Sequence, residues 1–126
     1  MKPIEGPLFI PMKTVSGMNA HELPIARHSR VKRERKTVGG YLYIVKKPDV
    51  PCSVLLTRSA PSAGLDDDNL LSALKTVRDT IATWLGVDDR HRDIVRYRYS
   101  QERGPLGVRV EFGPPIVGGH IIDPGE

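Results

Sequence analysis

The chain has 126 residues, enough for one domain with a modest core. Apolar residues make up 39% and charged residues 27%, an ordinary globular balance that excludes a fibrous or wholly disordered chain. The net charge of +4 permits a polyanionic partner, the lone Cys52 excludes an internal disulfide or a multi-cysteine zinc site, and no run approaches the ~18 apolar residues of a membrane span.

In chain order, "PLFIPMKTV" (7–15) predicts a first strand, with Pro11 marking an edge or a strand end. "SGMN" is turn chemistry, and Asn19 can cap a helix through "AHELPIARHSRVKRERKTV" that tolerates Pro24 only in its first turn. The apolar stripe of this helix is thin, which predicts an exposed, basic rod. Gly39-Gly40 should break or loosen it, and "YLYIVKK" (41–47) then reads as helix continuing past a kink or as a short strand. "CSVLLTRSA" (52–60) is a strand with a turn after it. Apolar residues at 70, 71, 74, 77, 81, 84 and 85 define an amphipathic helix over 68–85, stopped by Gly86. "DIVRYRYSQ" and "VRVEF" both alternate around the turn "ERGPLG", so 93–112 reads as a β-hairpin. In that strand Tyr97 and Tyr99 share the core side with Val95, and Arg96 and Arg98 face the other way. Trp84 falls on the apolar stripe of the second helix, which predicts core packing.

The fold class is therefore α/β of the mixed α+β kind. A single domain over 1–113 has the order β-α-β-α-β-β, with a mixed sheet of about four strands and two main helices. The Pro/Gly-rich segment 114–126 is a tail, either disordered or an arm that docks on a partner. A start lacking a long apolar run, together with one cysteine, predicts a cytoplasmic setting.

Charge is distributed unevenly. Arg27, Arg30, Lys32, Arg33, Arg35 and Lys36 crowd one helix, and acids concentrate at 66–68 and 88–93. The triplet Asp66-Asp67-Asp68 has two readings. Aspartates cap helices and suit the positive end of the helix dipole. Hard carboxylate oxygens also hold Mg²⁺. The EF-hand form is excluded, because "DDDNLLSAL" lacks the glycine and the final glutamate of that loop. A second pair, Asp88-Asp89, adds to the metal reading. A straight helix of ~18 residues would hold the two clusters roughly 27 Å apart, so they meet only if the chain folds back after Gly86, if the helix is shorter than this, or if two copies share a site. Lys75 lies on the face of Asp68, but it can equally pair with Asp79. The histidines (His21, His28, His91, His120) have no metal-ligand spacing, and His91 reads as a solvated loop residue.

At "LDDDN", "LKTVRD" and "GVDD", followed by a strand with Arg and Tyr, the chain resembles the RusA-type Holliday junction resolvases of bacteriophages and prophages. The likeness spans roughly residues 53 to 112 and falls on Asp66, Asp68, Asn69, Lys75, Asp79, Asp88 and Asp89. Ser72 stands where the family pattern has its lysine, and Lys75 comes one turn later, where it can reach back toward the helix start. The resemblance implies a homodimeric endonuclease, dependent on Mg²⁺ or Mn²⁺, that resolves four-way DNA junctions by paired nicks in recombination and repair. Asp66, Asp68 and Asp89 would hold the metal, Asp67 would cap the helix, and Lys75 would offset charge in the transition state. Arg27, Arg30, Lys32, Arg33, Arg35 and Lys36 would contact DNA phosphates. Two other readings are a branched-DNA-binding protein of the same fold with weak or lost cleavage, and a small regulatory domain whose acids cap a helix.

Overall fold

The computed structural model describes residues 6–16, 22–62, 64–88, 90–91 and 93–116. Six elements follow in the order expected: β1 (Leu8–Ile10), α1 (Pro24–Leu42), β2 (Cys52–Ala60), α2 (Asp67–Leu85), β3 (Val95–Arg103) and β4 (Gly107–Gly113). They form a single small α+β domain with one four-stranded mixed sheet, ordered β1-β4-β2-β3.

β2 is the centre of the molecule, buried along nearly its whole length. A buried strand must satisfy its backbone donors and acceptors on both edges. β3 pairs with it in parallel on one side, from Cys52↔Val95 to Ala60↔Arg103. β4 pairs with it antiparallel on the other, through Leu56↔Val110. The hairpin expected over 93–112 is therefore not formed. Consecutive strands β3 and β4 straddle β2, and the Gly104 N–H closes the arch by donating to the Ala60 carbonyl at 3.0 Å. The short link from Arg103 to Gly107 can extend ~13 Å, enough to cross the ~9.5 Å between strands two places apart. The demand of β2 for two neighbours overrides the local turn signal. Gly107 is needed at the landing point. A Cβ there would lie 2.4 Å from Phe9 Cζ and 2.6 Å from the Ile10 carbonyl, where β1 crosses.

β1 is three residues long, shorter than the 7–15 expected, because Pro11 has no N–H to extend the ladder with β4. α1 begins at Pro24 and runs unbroken through Gly39-Gly40 to Leu42. Each mid-helix glycine costs ~1 kcal/mol, but Val38 and Leu42 flank the pair and are fully buried, and that anchoring prevails. Residues 41–42 thus complete the helix. The proposed cap Asn19 lies outside the described residues.

Both helices cover one face of the sheet. Val38 and Leu42 of α1 and Leu70, Leu74, Val77 and Ile81 of α2 join Val54, Leu56, Val95, Val108 and Val110 in one core. Tyr97 and Tyr99 pack against it, as their shared side with Val95 predicts. Trp84 does too, with Phe112 at 5.7 Å between ring centroids and the Lys47 ammonium 5.3 Å from its centroid. Strand alternation puts Arg96, Arg98, Arg109, Glu102 and Glu111 on the opposite face, which no described element covers. No described helix is long and apolar enough to cross a membrane. Residues 117–126, most of the proposed tail, lie outside the described residues.

Candidate metal centre and nucleic-acid interface

The acidic triplet stands where β2 hands over to α2, beyond the carboxyl end of a central strand. Such sheets commonly place their sites there. The turn is held on two sides. Gln101 of β3 accepts from the Leu65 N–H at 2.8 Å and donates to the Leu65 carbonyl at 2.6 Å. Ser16 Oγ donates to Asn69 Oδ1 at 2.5 Å, tying the segment after β1 to the first turn of α2.

Asp66 is the N-cap. Its backbone is extended and its Oδ1 accepts from the Asn69 N–H at 2.9 Å. In the roles expected from the sequence, Asp67 would cap while Asp66 and Asp68 bind metal. The helix starts one residue earlier than expected, so the cap falls on Asp66, with Asp67 and Asp68 exposed in the first turn. Among the described residues none of the three carboxylates forms an ion pair with a Lys, Arg or His. Glu22, Glu34, Asp79, Asp88, Glu102 and Glu111, by contrast, each pair with an arginine or lysine. The positive end of α2 is the partner the chain itself supplies to the triplet.

Lys75 does not reach back toward Asp68. Its ammonium pairs with Asp79 Oδ2 at 3.2 Å, one turn further on, and the side chain is 67% exposed. Asp79 also receives Arg78, whose guanidinium donates to Tyr99 Oη at 3.5 Å. Burial pulls the Arg78 pKa down, and the bonds to Tyr99 and Asp79 more than offset it, so the net shift is upward. Lys75, Arg78 and Asp79, with Arg35 of α1, Thr83 and Asp88, line a depression of about 650 Å³ along the later turns of α2.

The second acidic cluster is at the other end. α2 is a single helix from Asp67 to Leu85, ~28 Å long. Gly86, at φ 75°, closes it, and the chain then returns to the starting end of β2, where the Cys52 N–H donates to Ile94. Asp88 Oδ1 accepts from the Arg90 N–H at 2.9 Å, and its other oxygen pairs with the Arg90 guanidinium at 3.1 Å. Asp88 and Arg90 therefore stand a helix length from Asp66 and Asp68. Asp89 between them lies outside the described residues, as do His21 and His120. His91 is an exposed loop residue, as expected. Among the described residues no three His, Cys, Asp or Glu side chains come together as a metal cage.

On α1 the cations divide. Arg27, Lys32, Arg33, Arg35 and Lys36 are exposed, and every residue of the first turns, 24–29, is open to solvent. Arg30 is withdrawn from this set. Its side chain is 13% exposed and bonds Glu22 at 2.8 Å and Glu34 at 2.7 Å. The Glu22 hydrogen bond leads in holding the Arg30 guanidinium above its usual pKa, and the same bond holds the Glu22 carboxyl below the ordinary range. Sequence reading misses buried Glu34, although its spacing of four from Arg30 is a usable signal. It also misses Arg58, Thr14 and Gln101, which bond across long stretches of chain. Comparison with protein-family models, curated proteins and solved structures finds no match to this chain.

Proposed function

We propose that this protein is a metal-dependent endonuclease of branched DNA, working in the cytoplasm as a homodimer whose sites are shared between copies. The observation that carries the reading is the triplet Asp66-Asp67-Asp68, without a cationic partner among the described residues, at the carboxyl end of a central strand. The resemblance to RusA-type resolvases points the same way. Asp66 and Asp68 offer hard oxygens suited to Mg²⁺ or Mn²⁺, and Mg²⁺ needs only one or two carboxylates because it keeps several waters. Capping engages one oxygen of Asp66 and leaves its carboxylate a second donor atom. When bound, the ion would polarise a phosphodiester and lower the pKa of a water. Asp89 joins the ligand set only from a second copy, because one α2 helix separates the neighbouring Asp88 from Asp68. A twofold dimer suits paired nicks in a four-way junction.

A second reading is a junction-binding protein without cleavage. Its support is the Lys75–Asp79 pair, which takes the candidate transition-state cation away from the aspartates. Incubating the protein with a four-way junction, with and without Mg²⁺ or Mn²⁺, separates the two. Metal-dependent paired nicks are expected. A mobility shift without nicks would establish the second reading, and neither result would leave the acids as helix caps.

The exposed cations of α1 are the phosphate-contacting surface in this account. Arg33→Glu with Lys36→Glu should weaken junction binding across all sequences and lower the slope of log affinity against log salt by about 2, since each phosphate neutralised contributes ~0.9. Arg30→Gln is the contrast. It disrupts the Glu22–Arg30–Glu34 network, so it should lower thermal stability and leave the salt slope of the folded protein unchanged. Fluorescence-anisotropy titrations at several salt concentrations, beside a melting curve, would check both.

A further inference from the structure

Arg58 sits near the carboxyl end of β2 and is 9% exposed. An arginine does not lose its proton in a protein, so burying one calls for hydrogen bonds or a counter-anion. What the described residues supply is one neutral acceptor: Arg58 Nε donates to Thr14 Oγ1 at 3.2 Å. Among the described residues no carboxylate pairs with it. Its two terminal nitrogens have no hydrogen-bond partner there either, and they keep some access to solvent.

The surroundings locate this cation. On β3 the register partner of Arg58 is Gln101, whose amide grips Leu65, the residue before Asp66. On the other side Thr14 leads by two residues to Ser16, which bonds Asn69. Arg58 is thus held between two segments that both run to the first turn of α2. A stem fixed by burial with a partly open guanidinium is the form an anion receptor takes, and the planar fork matches two oxygens of a phosphate.

We infer that Arg58 is the phosphate-binding cation of this site, holding the non-bridging oxygens of the phosphodiester brought to Asp66 and Asp68. The assignment rests on the nuclease reading and gives Arg58 the place that Lys75, paired with Asp79, does not fill. Added negative charge on those oxygens in the transition state would be met by a donor already in position.

The test is single-turnover nicking of a four-way junction with Mn²⁺, with junction affinity measured separately in Ca²⁺, for the wild type, Arg58→Gln and Arg58→Lys. Arg58→Gln should lower the nicking rate by about 10²-fold, the scale of losing one preorganised donor, with affinity carried by α1 and changed by less than about threefold. Arg58→Lys keeps the charge and loses the fork, so its rate should fall between the two. If melting curves show that Arg58→Gln does not fold, Arg58→Lys decides: a rate clearly below wild type supports the assignment, and an undiminished rate overturns it. A folded Arg58→Gln that nicks at the wild-type rate overturns it while leaving the nuclease reading intact. A wild type that does not nick removes the nuclease reading and this role together.

Discussion

Asp68→Asn should abolish metal-dependent nicking while four-way junction binding persists. Asp68 is exposed in the first turn of α2 and makes no ion pair among the described residues, so the fold asks little of its charge. Asparagine has the same shape. Loss of one carboxylate near the helix dipole costs a few tenths of a kcal/mol, within the error of most unfolding measurements. The metal would lose one charged oxygen from a set of two or three. If the ion contributes several kcal/mol to the transition state, the rate falls on the order of 10³-fold or more. Asp66→Asn should behave alike, because asparagine is itself a strong N-cap. Asp66→Ala should lose activity and about 1 kcal/mol of stability as well, since the bond to the Asn69 N–H goes with it. Gel assays of nicking and of mobility on the same preparations read both quantities. Full cleavage by Asp68→Asn would remove this residue from the mechanism.

The largest effect on stability should come from Leu74→Ala. Leu74 is fully buried at the middle of α2, in the core shared with β2, β3 and β4. Truncation there removes apolar burial and leaves a cavity, costing about 2–5 kcal/mol. A domain of this size holds ~5–15 kcal/mol in all, so the variant would be marginal. Leu71 is the matched control on the same helix. It is 42% exposed, and Leu71→Ala should cost less than about 1 kcal/mol. The urea midpoint, read at unchanged slope, measures both. Equal losses at the two positions would contradict the buried face assigned to α2.

Much of this architecture is legible in the residues. β2 is contiguous, β-branched and bounded by turns. α2 has an apolar period running to a glycine that adopts the left-handed conformation. The misreadings share one cause, long-range competition that a local pattern does not carry. The turn between β3 and β4 looks like a hairpin, but β2 needs partners on both edges. Gly39-Gly40 looks like a break, but Val38 and Leu42 are locked into the core. Arg30 reads as one cation among six until buried Glu34 and half-buried Glu22 take it. Lys75 fits two roles in the sequence, aid to the aspartates and partner of Asp79, and the helical spacing of four prevails. Arg58 carries no signal at all, because its meaning comes from Thr14 and Gln101, which are distant in the chain.

The separation of the acidic clusters leads to the most direct test. Asp68→Asn and Asp89→Asn should each be silent as pure dimers. In a mixed dimer with shared sites, one site pairs both mutated positions. The other pairs the intact Asp68 of the Asp89→Asn copy with the intact Asp89 of the Asp68→Asn copy. Mixing the two variants under conditions that exchange subunits, then adding a four-way junction and Mg²⁺, should restore nicking at one strand per junction. A mixture that stays silent beside a wild type giving paired nicks would contradict a site shared between copies.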